Sequence, residues 1–189
     1  FSSADLGRAL DASLLSIFST NGQQCLAGSR ILVQDTIFDE FTDAFLSRMS
    51  QIKVGDPLAA DTEIGPIASK THMERILSFV DHADKDGDRL IGGGQRRTSL
   101  GDGYFIDPTA VVAKSNASTI CQSEIFGPFA SFLKFKTEEE AIAMANDTEF
   151  GLVSYIWSDH LPTVMNVSEN MRSGVVWVNT PLTRELRAP

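Results

Sequence analysis

Cysteine is scarce in this chain: two thiols, Cys25 and Cys121, in 189 residues. Two cysteines cannot make a disulfide framework, so the fold must be held by its core, and a reactive thiol is best preserved in a reducing compartment. Basic residues are few as well, 16 Lys and Arg against 25 Asp and Glu, for a net charge of -9. Arg96-Arg97 is the only adjacent basic pair. Nucleic acid and anionic membrane surfaces reward clustered cations, so neither is expected as a partner. No apolar run reaches the length of about eighteen residues that a membrane span needs, and no secretory leader pattern appears. The cytoplasm is the expected compartment. Repeats, linkers and low-complexity stretches are missing too. Neither G-x-G-x-x-G nor G-x-x-x-x-G-K-[ST] occurs, and Gly92-Gly93-Gly94 reads as a turn rather than a phosphate cradle.

What is present is an apolar content of 42% spread with mixed charge, fitting one folded domain. Ser3-Ala4-Asp5 offers capping oxygens ahead of Leu6, Leu10, Leu14, Ile17 and Phe18, which share one helical face ending before Asn21-Gly22. Ile31-Leu32-Val33 reads as a buried strand. Phe38, Phe41, Phe45, Met49 and Ile52 mark a second helix, and Met73, Ile76, Leu77 and Val80 a third that stops by Asp86-Gly87. Arg89-Leu90-Ile91 and Phe129 to Phe135 read as strands. Thr137-Glu138-Glu139-Glu140 is a capping box opening a helix, its glutamates complementing the helix dipole, and no His or Cys nearby turns them into a metal site. Val153 to Trp157 is a strand, Leu161-Pro162 starts a helix, and Val175 to Asn179 closes the pattern as a buried strand. Strands alternating with helices predict a three-layer α/β domain with a largely parallel sheet.

The chemistry concentrates at Asn21-Gly22-Gln23-Gln24-Cys25-Leu26-Ala27-Gly28-Ser29-Arg30. A thiol between two glycines, at the junction of a helix and a strand, has the close backbone approach that a nucleophile needs. Taken alone, Cys25 reads first as a buried structural thiol, the commoner fate of a free cysteine. Two further stretches carry weight: Glu124-Ile125-Phe126-Gly127-Pro128 and Gly174-Val175-Val176-Trp177-Val178-Asn179.

Together these three elements, in this order, resemble the signatures of the aldehyde dehydrogenase superfamily, whose cysteine motif reads roughly Gly-Gln-x-Cys-x-Ala-Gly-Ser-Arg. The resemblance runs from Phe1 to Pro189 and includes Gly65-Pro66, the Tyr104-to-Thr109 stretch and the Asn146-to-Gly151 segment. It implies that residues 1–189 form the catalytic, cysteine-bearing domain. The dinucleotide-binding domain would lie upstream and an oligomerisation strand downstream, both outside this chain.

The resemblance also implies roles. Cys25 attacks an aldehyde to give a thiohemiacetal, its own backbone N–H helping to hold the oxyanion, and hydride loss to NAD or NADP leaves a thioester. Glu124 would hold the nicotinamide ribose and Phe126 flank the ring; the residues alone also allow a solvated loop acid and a core aromatic. His72 and Arg75, one helical turn apart, align with positions that reach the adenosine ribose. Asn179 would lie by the substrate tunnel. The water-activating glutamate and a second oxyanion donor belong to the upstream half, and nothing here resembles Glu-Leu-Gly-Gly-Lys. The 189 residues alone are therefore expected to show no turnover.

Within the superfamily, Phe18 to Gly22, Val178-Asn179-Thr180 and Arg184-Glu185-Leu186-Arg187 resemble the 5-carboxymethyl-2-hydroxymuconate semialdehyde dehydrogenases. A carboxylate-bearing aldehyde would suit Arg184 and Arg187, which also read as exposed loop charges. A CoA-acylating relative and a non-catalytic protein on the same fold are the competing readings. The full-length protein is expected to be a homodimer or homotetramer.

Overall fold

The computed structural model describes residues 1–183. Asp5 caps the first helix, α1 (Leu6–Phe18), by accepting the Arg8 N–H, as the local sequence predicts. The chain then enters β1 (Arg30–Gln34) and α2 (Phe38–Met49). Next come α3 (Lys70–Asp86), capped by the Ser69 hydroxyl and closed by Gly87 in the left-handed region at φ 78°, and β2 (Arg89–Gly92). β3 (Thr109–Val112), a single turn α4 (Thr119–Gln122) and β4 (Phe129–Phe135) follow. The last described elements are α5 (Glu138–Asn146), β5 (Val153–Ile156), α6 (Leu161–Asn170) and β6 (Val175–Val178).

The main sheet has the order β1-β4-β3-β2. β4 pairs in parallel with both β1 and β3, whereas β2 joins β3 antiparallel. β4 is therefore central and is apolar on both faces, as a doubly covered strand must be. Ala130 and Phe132 point into one core with Phe18 of α1 and Phe38 and Phe45 of α2; Phe45 meets Phe132 edge-on at 4.9 Å. Phe129 and Leu133 point into a second core with Met73, Ile76 and Phe79 of α3 and Ile120 and Cys121 of α4.

Several expectations need correction. β2 runs against its neighbour because only residues 93–108, with no crossover α-helix, separate it from β3. β5 and β6 form their own two-stranded parallel sheet. β6 is not buried, since its Val175 is exposed in this chain. α2 stops at Met49, before Ile52, where the Ser50 N–H turns back to the Leu46 and Arg48 carbonyls. β3 and α4 lie where the sequence pattern marks no element. Among the described residues, no helix is long and apolar enough to cross a membrane, and no group of His, Cys, Asp and Glu could hold a metal ion.

Candidate active site

The thiol does not follow α1 directly, as the pattern suggested. A left-handed turn intervenes at Ser19–Gly22, with Thr20, Asn21 and Gly22 at φ 53°, 59° and 67°. A β-branched residue at positive φ is strained, and a run of three left-handed residues persists only where its surroundings hold it. Asn21 supplies part of that hold: its amide donates to the Pro66 carbonyl at 3.0 Å and its oxygen accepts the Gly65 N–H at 2.9 Å. This explains why Gly65-Pro66 accompanies the cysteine motif. Gly22 supplies the rest, because a Cβ there would collide with the Gly127 carbonyl. That close approach of two backbones brings the cysteine loop against the Glu124-to-Pro128 loop.

Beyond Gly22, Ala27 N–H donates to the Gln24 carbonyl at 3.1 Å, so Cys25 and Leu26 occupy the corner of a tight turn. Cys25 is exposed there, and its backbone N–H donates to no acceptor among the described residues. Gln24 folds back on α1, donating to the Ser19 hydroxyl at 2.8 Å. Cys25, Glu124 and Phe126 line one cavity of about 390 Å³ with residues of β1 and β5. Cys121 borders the same cavity from the core side, but burial pushes its thiol up to about 12, so it stays protonated and inert at neutral pH.

Glu124 is exposed, and its carboxylate accepts no hydrogen bond from the described residues. Phe126 sits at φ 61°. His72 and Arg75 turn out to serve this loop. Arg75 donates to the Glu124 carbonyl at 2.7 Å and the Ile125 carbonyl at 2.9 Å, and His72 Nε2 lies 2.7 Å from the Phe126 carbonyl oxygen. Two side chains on one face of α3 thus grip three successive carbonyls. In this structure those hydrogen-bonding atoms are committed to the backbone of the Glu124-to-Phe126 loop.

The Asn179 amide donates to the Ser158 carbonyl and its oxygen accepts the Ser158 N–H at 3.0 Å, so it braces the loop after β5. Arg184 and Arg187 lie outside the described residues. Arg30, a motif position with no assigned role, ties β1 to the end of α5. Its guanidinium donates to the Met144 and Ala145 carbonyls and to Asn116 Oδ1, the favoured placement of a cation at a helix C-terminus. Tyr155, which no motif marks, reaches the cysteine turn and donates to the Leu26 carbonyl at 2.7 Å. The signal the sequence offers is an aromatic with a polar tip inside the Val153-to-Trp157 strand.

An exposed thiol at a tight turn, an unengaged N–H on the same residue, and a facing loop that presents a carboxylate make this the candidate active site of the α/β domain. The profile of the aldehyde dehydrogenase family matches residues 1–189, and the chain belongs to that family. It is 41% identical, over 99% of its length, to the 5-carboxymethyl-2-hydroxymuconate semialdehyde dehydrogenase of Escherichia coli. It is 38% identical over its whole length to a 2-aminomuconic 6-semialdehyde dehydrogenase from Pseudomonas. Among solved structures, HpcC from Thermus thermophilus superposes with a TM-score of 0.98 at 39% identity over the whole chain. Betaine aldehyde dehydrogenase from Staphylococcus aureus, in complex with NAD+, does so at 0.97 and 38%. The chain spans 41% of the first of these relatives and 39% of the second, and 38% of each solved chain.

Proposed function

We propose that residues 1–189 are the three-layer catalytic domain of a longer cytoplasmic enzyme that oxidises an aldehyde to a carboxylic acid, with Cys25 as nucleophile. The observation that carries this reading is the opening of Cys25 onto the cavity it shares with Glu124 and Phe126. Cys25 Sγ adds to the carbonyl carbon, and the unengaged Cys25 N–H donates to the oxygen that becomes negative. One such donor contributes about 3 to 4 kcal/mol to the transition state. A nicotinamide dinucleotide, when bound, supplies the hydride acceptor that turns a thiohemiacetal into a thioester. The free Glu124 carboxylate suits its ribose hydroxyls, because it can accept two hydrogen bonds at once. Phe126, which lines the same cavity, is placed to flank the nicotinamide ring. NAD is favoured over NADP by the NAD+ complex of the Staphylococcus relative.

The substrate is a semialdehyde bearing a carboxylate, a reading supported by the names of the two semialdehyde relatives. Arg184 and Arg187 are candidates to receive that carboxylate, and Asn179 serves the substrate side only by bracing the loop after β5. The dinucleotide-binding half, the water-activating base and the oligomerisation strand lie in the rest of the longer chain. That chain assembles as a homodimer or homotetramer.

The test is Cys25→Ser in the full-length protein, assayed for NADH formation with semialdehydes and with neutral aldehydes of equal length. The variant is expected to lose hydride transfer, since a hydroxyl is a far weaker nucleophile than a thiolate. The wild type is expected to prefer the acids in kcat/KM, and the 189 residues alone to show no turnover. Near-normal activity of Cys25→Ser would end the nucleophile assignment, and equal kcat/KM values would end the semialdehyde reading.

A further inference from the structure

The turn that carries Cys25 is gripped from two sides, and only one grip comes from the helix before it. On the α1 side, Gln24 Nε2 and the Gly28 N–H both donate to the Ser16 carbonyl at 3.3 Å. The opposite grip comes from β5, 129 residues away, where the Tyr155 hydroxyl donates to the Leu26 carbonyl at 2.7 Å. That carbonyl takes no other hydrogen bond from the described residues. The phenol is not free to wander. Its ring stacks on Trp177 with centroids 5.1 Å apart and planes 17° apart, and it packs beside Gly28, where a Cβ would sit 3.8 Å from Tyr155 Cδ2. The ring also borders the cavity onto which Cys25 opens.

We infer that Tyr155 is a positioning residue for the nucleophile, fixing through the Leu26 carbonyl the turn on which Cys25 Sγ and the Cys25 N–H must meet one carbonyl group together. This rests on the reading of Cys25 as the attacking thiol. Burial, and secondarily the nearby charge of Cys25, push the phenol up to about 12, so the hydroxyl stays a donor at neutral pH. The demand for positioning is geometric. Attack and oxyanion binding are separate contacts made by one residue, and a misplacement of about 1 Å can lower a rate by about a hundredfold. α1 fixes Gln24 and Gly28 at the two ends of the turn; Tyr155 fixes the Leu26–Ala27 peptide, one residue beyond the thiol.

Tyr155→Phe keeps the ring and its stack on Trp177 and removes only the donor. In the full-length protein, kcat per titrated Cys25 thiol is expected to fall about tenfold, with KM for the dinucleotide changed by less than about twofold. In the same protein, hydrogen exchange at the Ala27 amide, which closes the turn, is expected to quicken about tenfold as the turn loosens. Normalising to titrated thiol separates positioning from stability, because a merely structural residue would lower thiol and activity in proportion. An unchanged kcat per thiol would overturn the inference, whatever the exchange rate does. Cys25→Ser run in parallel separates the two ideas. An active serine variant sinks the nucleophile reading itself, whereas an inactive one beside a normal Tyr155→Phe sinks only the role of Tyr155.

Discussion

At the scale of single residues, the site is built by side chains that hold backbone. Arg75 and His72 occupy the carbonyls of Glu124, Ile125 and Phe126, and Asn21 occupies Gly65 and Pro66. Each fixes a loop that would otherwise sample many conformations, so ordering is completed at folding and is not charged against binding. Arg75→Met removes both charge-assisted bonds together with the guanidinium that lies over the Phe79 ring. A clamp contributing about 1.4 kcal/mol to the bound geometry corresponds to about tenfold in affinity. The expected outcome in the full-length protein is therefore an approximately tenfold rise in KM for the dinucleotide, with kcat per thiol nearly unchanged. Steady-state kinetics over a cofactor series would show it, and an unchanged KM would mean that the Glu124 loop holds its shape without Arg75. The family resemblance marks these two residues by alignment, but alignment cannot say what a side chain reaches. Only the folded path of residues 124–126 past α3 does.

At the scale of elements, most helices and strands were legible because their apolar periods match the burial the fold gives them. α1 and α3 follow their capping and stop signals closely, and β4 is buried along nearly its whole length. β3 shows no alternating period because Thr109, Ala110 and Val111 are all buried, and the direction of β2 is set by what it pairs with rather than by its own residues. The join between α5 and α6 gives a pH-dependent test. Glu138 accepts from the Thr163 hydroxyl and from Asn166 Nδ2, and these two bonds, in that order, hold its carboxyl below the usual carboxylate range. A carboxyl lowered in the folded state contributes stability that is fully present above its unfolded pKa and is lost as pH falls through the folded one. Glu138→Gln should therefore unfold more readily in urea than the wild type near neutral pH, and the gap should narrow from about pH 6 to about pH 3. A gap that stays constant over that range would mean that the charge of Glu138 contributes nothing to the α5–α6 join.

At the scale of the whole molecule, one approach organises the site: the backbone of Gly22 against that of Gly127 brings together two motifs separated by about a hundred residues of sequence. Their order and composition were readable from the chain. Their meeting at one cavity was not, because it depends on a left-handed turn that runs through the β-branched Thr20, against its local preference. The same cavity presents two sulfurs of opposite character, an exposed Cys25 and a buried Cys121 whose thiol stays protonated. The chemistry can therefore be assigned to one atom by experiment. The full-length protein, given NAD and an aldehyde, would be quenched in acid within the first turnovers and mapped by peptide mass. The account predicts the acyl group on the peptide that contains Cys25, at a stoichiometry matching the burst of NADH. NADH formed with that peptide unmodified, or with the acyl group on Cys121, would contradict it.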